Sequence, residues 1–109
     1  MTRSAPPAAT VDAVAQVLRA DDGRWVVAGP LTIGNVAHVL ADSVDLPLPQ
    51  SGRIDLQDVD PVDSAGVALL LEWKRRATAE GKGLRFENVT PSMASLAELY
   101  GVDELLSSS

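Results

Sequence analysis

The chain has 109 residues, 46% of them hydrophobic and 22% charged, which suits one hydrophobic core and excludes both a second domain and a wholly disordered chain. Nine basic against fifteen acidic residues leave a formal net charge of −6, which repels nucleic-acid phosphates and anionic lipid surfaces at long range. Without cysteine there are no disulfides, thiol nucleophiles or thiolate metal sites, and a reducing compartment is permitted.

Aromatic residues make up only 4%, so the core is expected to be built from Val, Leu, Ile and Ala, with Trp25, Trp73, Phe86 and Tyr100 as landmarks. Residues 1–11 are rich in Ala, Pro, Ser and Thr, carry neither helical nor strand period, and read as a disordered N-terminal tail. They have no basic n-region or apolar h-region, and no stretch approaches the roughly 20 apolar residues of a membrane span. The expectation is a soluble, cytoplasmic protein with no direct membrane insertion.

From Ala13, two β-prone runs flank Asp21-Asp22-Gly23 and predict a hairpin. Gly29-Pro30-Leu31-Thr32 is expected to break the second strand, and Gly34-Asn35 to cap a helix with Val36, Val39, Leu40 and Ser43 on its buried face. His38 falls on the opposite, solvent side of that helix. Pro47 and Pro49 mark a loop, followed by a short strand, Arg53-Ile54-Asp55-Leu56.

Residues 58–66 then read as a polar turn that feeds a helix beginning near Val67, with Asp63 and Ser64 both suited to its N-cap. Gly81 and Gly83 stop that helix, and residues 84–89 supply another strand. Thr90-Pro91 opens a last helix with Met93, Leu96, Ala97 and Tyr100 on one face, ended by Gly101, and residues 107–109 read as a C-terminal tail. The predicted order of strand, strand, helix, strand, helix, strand, helix implies an α/β fold in which βαβ crossovers build a mostly parallel sheet and the hairpin adds an antiparallel edge.

Catalytic and cofactor chemistry find little footing. Gly29 and Gly34 imitate a phosphate-binding loop, but Asn35 stands where Lys is needed and no Ser or Thr follows it. Ser64 lacks the paired glycines of a hydrolase elbow and has no base paired with it. Asp55, Asp58, Asp60 and Asp63 are not at EF-hand spacing, and turn and cap chemistry accounts for them without a metal or cofactor.

The helix after Asp63 is more informative. At about 100° per residue, Leu70, Trp73 and Ala77 share the side that should meet the sheet. Ser64, Ala65, Ala68, Glu72 and Arg75 share the other, where small residues give way to charges. Two readings stand: an ordinary solvated face, or a docking surface on which small side chains admit a partner's backbone and Glu72 and Arg75 form a polar rim. The Ser64 hydroxyl is either a plain cap or a site whose phosphorylation would add about two negative charges to that surface.

At Val62-Asp63-Ser64-Ala65-Gly66-Val67-Ala68-Leu69-Leu70-Leu71 the sequence resembles the STAS domain family, whose members share an Asp-Ser/Thr-x-Gly turn at the start of a helix. The resemblance implies a single STAS domain over residues 12–106, with a mixed sheet and helices packed mainly on one side. Two branches compete. The runs Gly66-Val67-Ala68-Leu69-Leu70-Leu71 and Leu96-Ala97-Glu98-Leu99-Tyr100-Gly101 look like MlaB, the STAS subunit of Mla-type phospholipid transport ABC systems. That branch implies a non-catalytic regulatory subunit, peripheral to the inner membrane, which contacts the MlaF-like transport ATPase and helps maintain outer-membrane lipid asymmetry. Ser64 would be the central contact and Asp63 and Gly66 part of the same turn. The other branch, the anti-sigma factor antagonists, is phosphorylated by a partner kinase on the Ser after the Asp, which is Ser64 here. Its members usually carry Ser or Thr next, where this chain has Ala65.

Overall fold

The computed structural model describes residues 16–107. Residues 1–15, which hold the expected N-terminal tail and the start of the predicted hairpin, lie outside the described residues, as do residues 108 and 109. Eight elements follow one another: β1 (Gln16–Arg19), β2 (Trp25–Leu31), α1 (Val36–Val44), β3 (Arg53–Val62), α2 (Ser64–Ala79), β4 (Arg85–Glu87), α3 (Pro91–Leu99) and α4 (Asp103–Ser107). The four strands form one sheet in the order β1-β2-β3-β4, with β1 antiparallel to β2 and the other two pairings parallel. This is the expected mixed α/β sheet.

The strand alternation decides which face is covered. Trp25, Val27 and Leu31 of β2, Ile54, Leu56 and Val59 of β3 and Phe86 of β4 are buried on one face. They form one core cluster with Val39 of α1, Leu70, Trp73 and Ala77 of α2, and Met93 and Ala97 of α3. Leu18, paired with Val26, is 52% exposed, so the helices pack mainly on one side. The two tryptophans meet edge to face at 5.5 Å and 77° in the middle of this layer. Trp73 Nε1 donates to Ser43 Oγ at 2.9 Å, and Ser43 Oγ donates to the Leu40 carbonyl, so α1 and α2 are joined by a buried polar contact as well as by packing.

Several expectations are corrected. β2 does not break at Gly29-Pro30 but continues to Leu31 through two register irregularities against β3. Gly29, at φ 96°, takes up the distortion that a side chain would resist, and Pro30 lies where the regular ladder is interrupted. β3 is not four residues but ten, and it absorbs most of the expected polar turn. Asp58 and Asp60 are exposed along it while Val59 is buried, the alternation of a strand with one solvated face.

Asn35 does not cap α1 with its side chain. Its Oδ1 turns back to accept from Thr32 N at 2.8 Å, tightening the β2–α1 loop. β4 is only three residues long, because Asn88 enters the left-handed region at φ 56° and donates to Asp55 Oδ1 at 3.2 Å. Tyr100 is 51% exposed and off the buried face of α3, since the helix has already ended at Leu99. A short α4 extends to Ser107 and buries Leu106, where a frayed tail was expected from residue 107. His38 is exposed as expected, 3.3 Å from Asp42 one turn on.

Candidate functional site

The loop from β3 to α2 is a single residue, Asp63, held in extended conformation as the N-cap of α2. Its Oδ1 accepts from Ala65 N at 2.9 Å, satisfying one of the free donors that begin every helix. Its Oδ2 accepts from Ile33 N, also at 2.9 Å, and its own N–H donates to the Leu31 carbonyl at 3.2 Å. One residue therefore fastens the start of α2 to the end of β2 and to the loop that precedes α1.

Gly66 completes the junction. A methyl group there would lie 2.6 Å from the Leu31 carbonyl oxygen and 2.6 Å from Val62 Cγ2, closer than a carbon can approach either. The missing side chain lets the first turn of α2 sit directly on the end of β2.

With the helix seated in this way, Ser64 and Ala68 are exposed and Ala65 is half-buried. Ser64 is the first helical residue, not the cap, and its hydroxyl makes no hydrogen bond among the described residues. Further along the same face Arg75 is exposed and bonded through its guanidinium to both Glu72 carboxylate oxygens. That hydrogen bond and the adjacent positive charge hold the Glu72 carboxyl below its ordinary value, and the carboxylate in turn raises Arg75. Glu72 and Arg75 also line a shallow groove between α1 and α2, together with Val44, which is 62% exposed.

The predicted residues thus share one surface: Asp63 and Gly66 build it from below, and Ser64, Ala65, Ala68, Glu72 and Arg75 present it. Sequence reasoning missed Ile33. It is 82% exposed beside this junction, with its N–H held by Asp63. An isolated apolar residue among Thr32, Gly34 and Asn35 was the available signal. The carboxylates weighed as metal ligands are not gathered: Asp55 is bonded to Arg24, Gln57 N and Asn88, and Asp63 is committed to two backbone donors. Among the described residues no group of three or more His, Asp or Glu side chains is arranged to hold a metal ion.

A four-stranded mixed sheet with its helices on one face, and an Asp-Ser-x-Gly junction at the start of the helix after the long strand, define a STAS-type domain. The chain belongs to the STAS domain family: it matches the family described as "Mlab, STAS domain" over residues 14–107. Among curated proteins none matches. Membership supports a regulatory role, and domains of this family are in general not enzymes. No helix among the described residues is long and apolar enough to cross a membrane.

Proposed function

We propose that the protein is a non-catalytic regulatory subunit that binds and supports the ATPase of a bacterial Mla-type phospholipid ABC transporter. In this reading it is a cytoplasmic protein, peripheral to the inner membrane through that complex, and contributes to outer-membrane lipid asymmetry. The observation that carries it is the surface at the start of α2. Ser64 and Ala68 are exposed and small, the turn beneath them is fixed by Asp63 and Gly66, and exposed Ile33 lies beside it. Small side chains let a partner helix or loop approach closely, Ile33 supplies apolar contact area, and Glu72 and Arg75 form a polar rim. Regulation follows if the domain binds one ATPase conformation better than another; a difference of about 1.4 kcal/mol shifts that balance tenfold.

The test is an affinity pull-down from native lysate with tagged wild type beside Ser64→Arg, the bound proteins identified by mass spectrometry. Recovery of an ABC ATPase by wild type and its loss with Ser64→Arg is the expected result. Equal recovery by both removes Ser64 from the contact.

One observation favours a second reading, an anti-sigma factor antagonist switched by phosphorylation of Ser64 through an anti-sigma kinase. The Ser64 hydroxyl is exposed and uncommitted, next to a carboxylate that already holds two backbone N–H groups. A phosphate there would be repelled by Asp63 and would weaken its hold on Ile33. Incubation with a cognate kinase and ATP, followed by intact mass, tests it; an unmodified Ser64 rejects it.

A further inference from the structure

The net charge of −6 conceals an asymmetry. Six of the nine basic residues, Arg19, Arg24, Arg53, Lys74, Lys82 and Arg85, line one open cleft, and among the described residues Asp21 is the only acidic one that lines it. Four of the six come from the same end of the sheet. Arg19 closes β1, Arg24 immediately precedes β2, and Arg53 and Arg85 begin β3 and β4 as register partners. Arg24, Arg53 and Arg85 therefore form a row along one face of the sheet end, while Arg19, the register partner of Trp25, leaves β1 toward the helix-covered face. At about 4.8 Å between neighbouring strands the row is roughly 10 Å wide. Lys82, just beyond α2, adds an exposed ammonium group, whereas the Lys74 ammonium donates to the Leu84 carbonyl at 2.8 Å.

Carboxylates accompany the row without exhausting it. Asp22 bonds Arg24 and Arg53, Asp55 bonds Arg24, Glu87 lies 3.5 Å from Arg53 and 3.7 Å from Arg85, and Glu80 lies 3.6 Å from Lys82. A guanidinium carries five N–H donors, and these pairings occupy one or two on each of Arg24, Arg53 and Arg85. Arg19, exposed at the rim, has no ion pair among the described residues. An array of planar donors spaced across several strands matches an anion bearing more than one charged oxygen group better than a single carboxylate.

We propose that this cleft binds phosphate-type oxyanions. It lies at the start of β3, whereas Ser64 follows its end, and ten residues at about 3.3 Å each place the two surfaces roughly 30 Å apart. The cleft is thus independent of the partner surface, and one domain can hold a protein at one pole and an anion at the other. The phosphate comes either from a soluble compound or from a lipid headgroup.

Titration of the full chain with sodium pyrophosphate, followed by calorimetry and amide chemical shifts, tests the first source. Co-sedimentation with phosphatidylcholine vesicles, with and without phosphatidylglycerol, tests the second. Arg19→Gln/Lys82→Gln removes two exposed cations and should weaken whichever binding is seen by about tenfold or more, with Arg85→Gln as an independent reading. Ser95→Glu, exposed on α3 and outside the cleft, adds one negative charge and should change it less than about twofold. Binding in either arm with this pattern supports the proposal and names the source. Binding in neither arm, or equal weakening by Ser95→Glu, overturns it.

Discussion

Asp63 Oδ2 accepts the backbone N–H of Ile33 at 2.9 Å, joining residues 30 positions apart across the β3–α2 junction. Its other oxygen holds Ala65 N at the same distance, so the carboxylate is the common anchor of the helix start and of the loop beside it. Replacing Asp63 with Ala removes both acceptors. The cap alone is worth about 1 kcal/mol, and with the second bond the expected loss is about 2 kcal/mol in denaturant unfolding. Hydrogen exchange at the Ile33 and Ala65 amides should accelerate more than at the buried amides of β3. Unchanged exchange at Ile33 would show that the loop is held by other means.

Gly66→Ala places a methyl group against the Leu31 carbonyl and Val62. Neither backbone nor branched side chain can give way cheaply, so the variant should lose about 1–3 kcal/mol, seen as a lower urea midpoint at an unchanged slope. Gly34→Ala is the comparison, because a methyl there meets nothing within 4 Å. Equal effects of the two would contradict the close approach.

Ser43→Ala should be costly for so small a change. It leaves Trp73 Nε1 buried without its acceptor, at a penalty of about 1–3 kcal/mol, and it should alter the tryptophan emission. Ser43→Thr keeps the hydroxyl and should restore part of the stability if the added methyl is accommodated.

The Glu72 carboxyl should titrate below its ordinary value of 4.5 in a carbon-detected NMR titration, and Arg75→Ala should move it back up. Because the folded-state value is depressed, any stabilisation from this pair is present above the unfolded value and is lost as pH falls through the folded one. Both groups are solvent-accessible, so added salt should shrink the difference. A Glu72 titration unaffected by Arg75→Ala would show that the pair does not persist in solution.

At the surface proposed to bind the ATPase, Ile33→Glu should leave the fold intact, since the side chain is 82% exposed, and on that proposal it should weaken ATPase capture about as much as Ser64→Arg. Wild-type levels of capture by Ile33→Glu, with Ser64→Arg defective, would confine the contact to α2.

What the sequence made legible was local. The Asp63 cap, the termination of α2 near Gly81, Thr90-Pro91 at the start of α3 and the burial of Leu70, Trp73 and Ala77 all depend on residues within a few positions of one another. What it concealed depends on distant pairing. Asp58, Asp60 and Pro61 have turn-forming side chains, but β2 runs alongside and draws them into β3 through the pairings Ala28 to Asp58, Gly29 to Val59 and Leu31 to Val62. Ile33 was hidden for the same reason, because its position is fixed by a carboxylate that arrives 30 residues later. The row of arginines becomes visible only when the register aligns the ends of β2, β3 and β4.

The division between Gly66, which lies beneath the surface, and Ser64, Ala68 and Arg75, which stand on it, has an evolutionary and practical corollary. The residues that meet solvent make no contribution to the core cluster, so they can change while the framework persists. On the proposed docking role, partner preference is free to drift, and exchanging those few positions for their counterparts in another domain of the same architecture should redirect the protein to a different mate without rebuilding its interior.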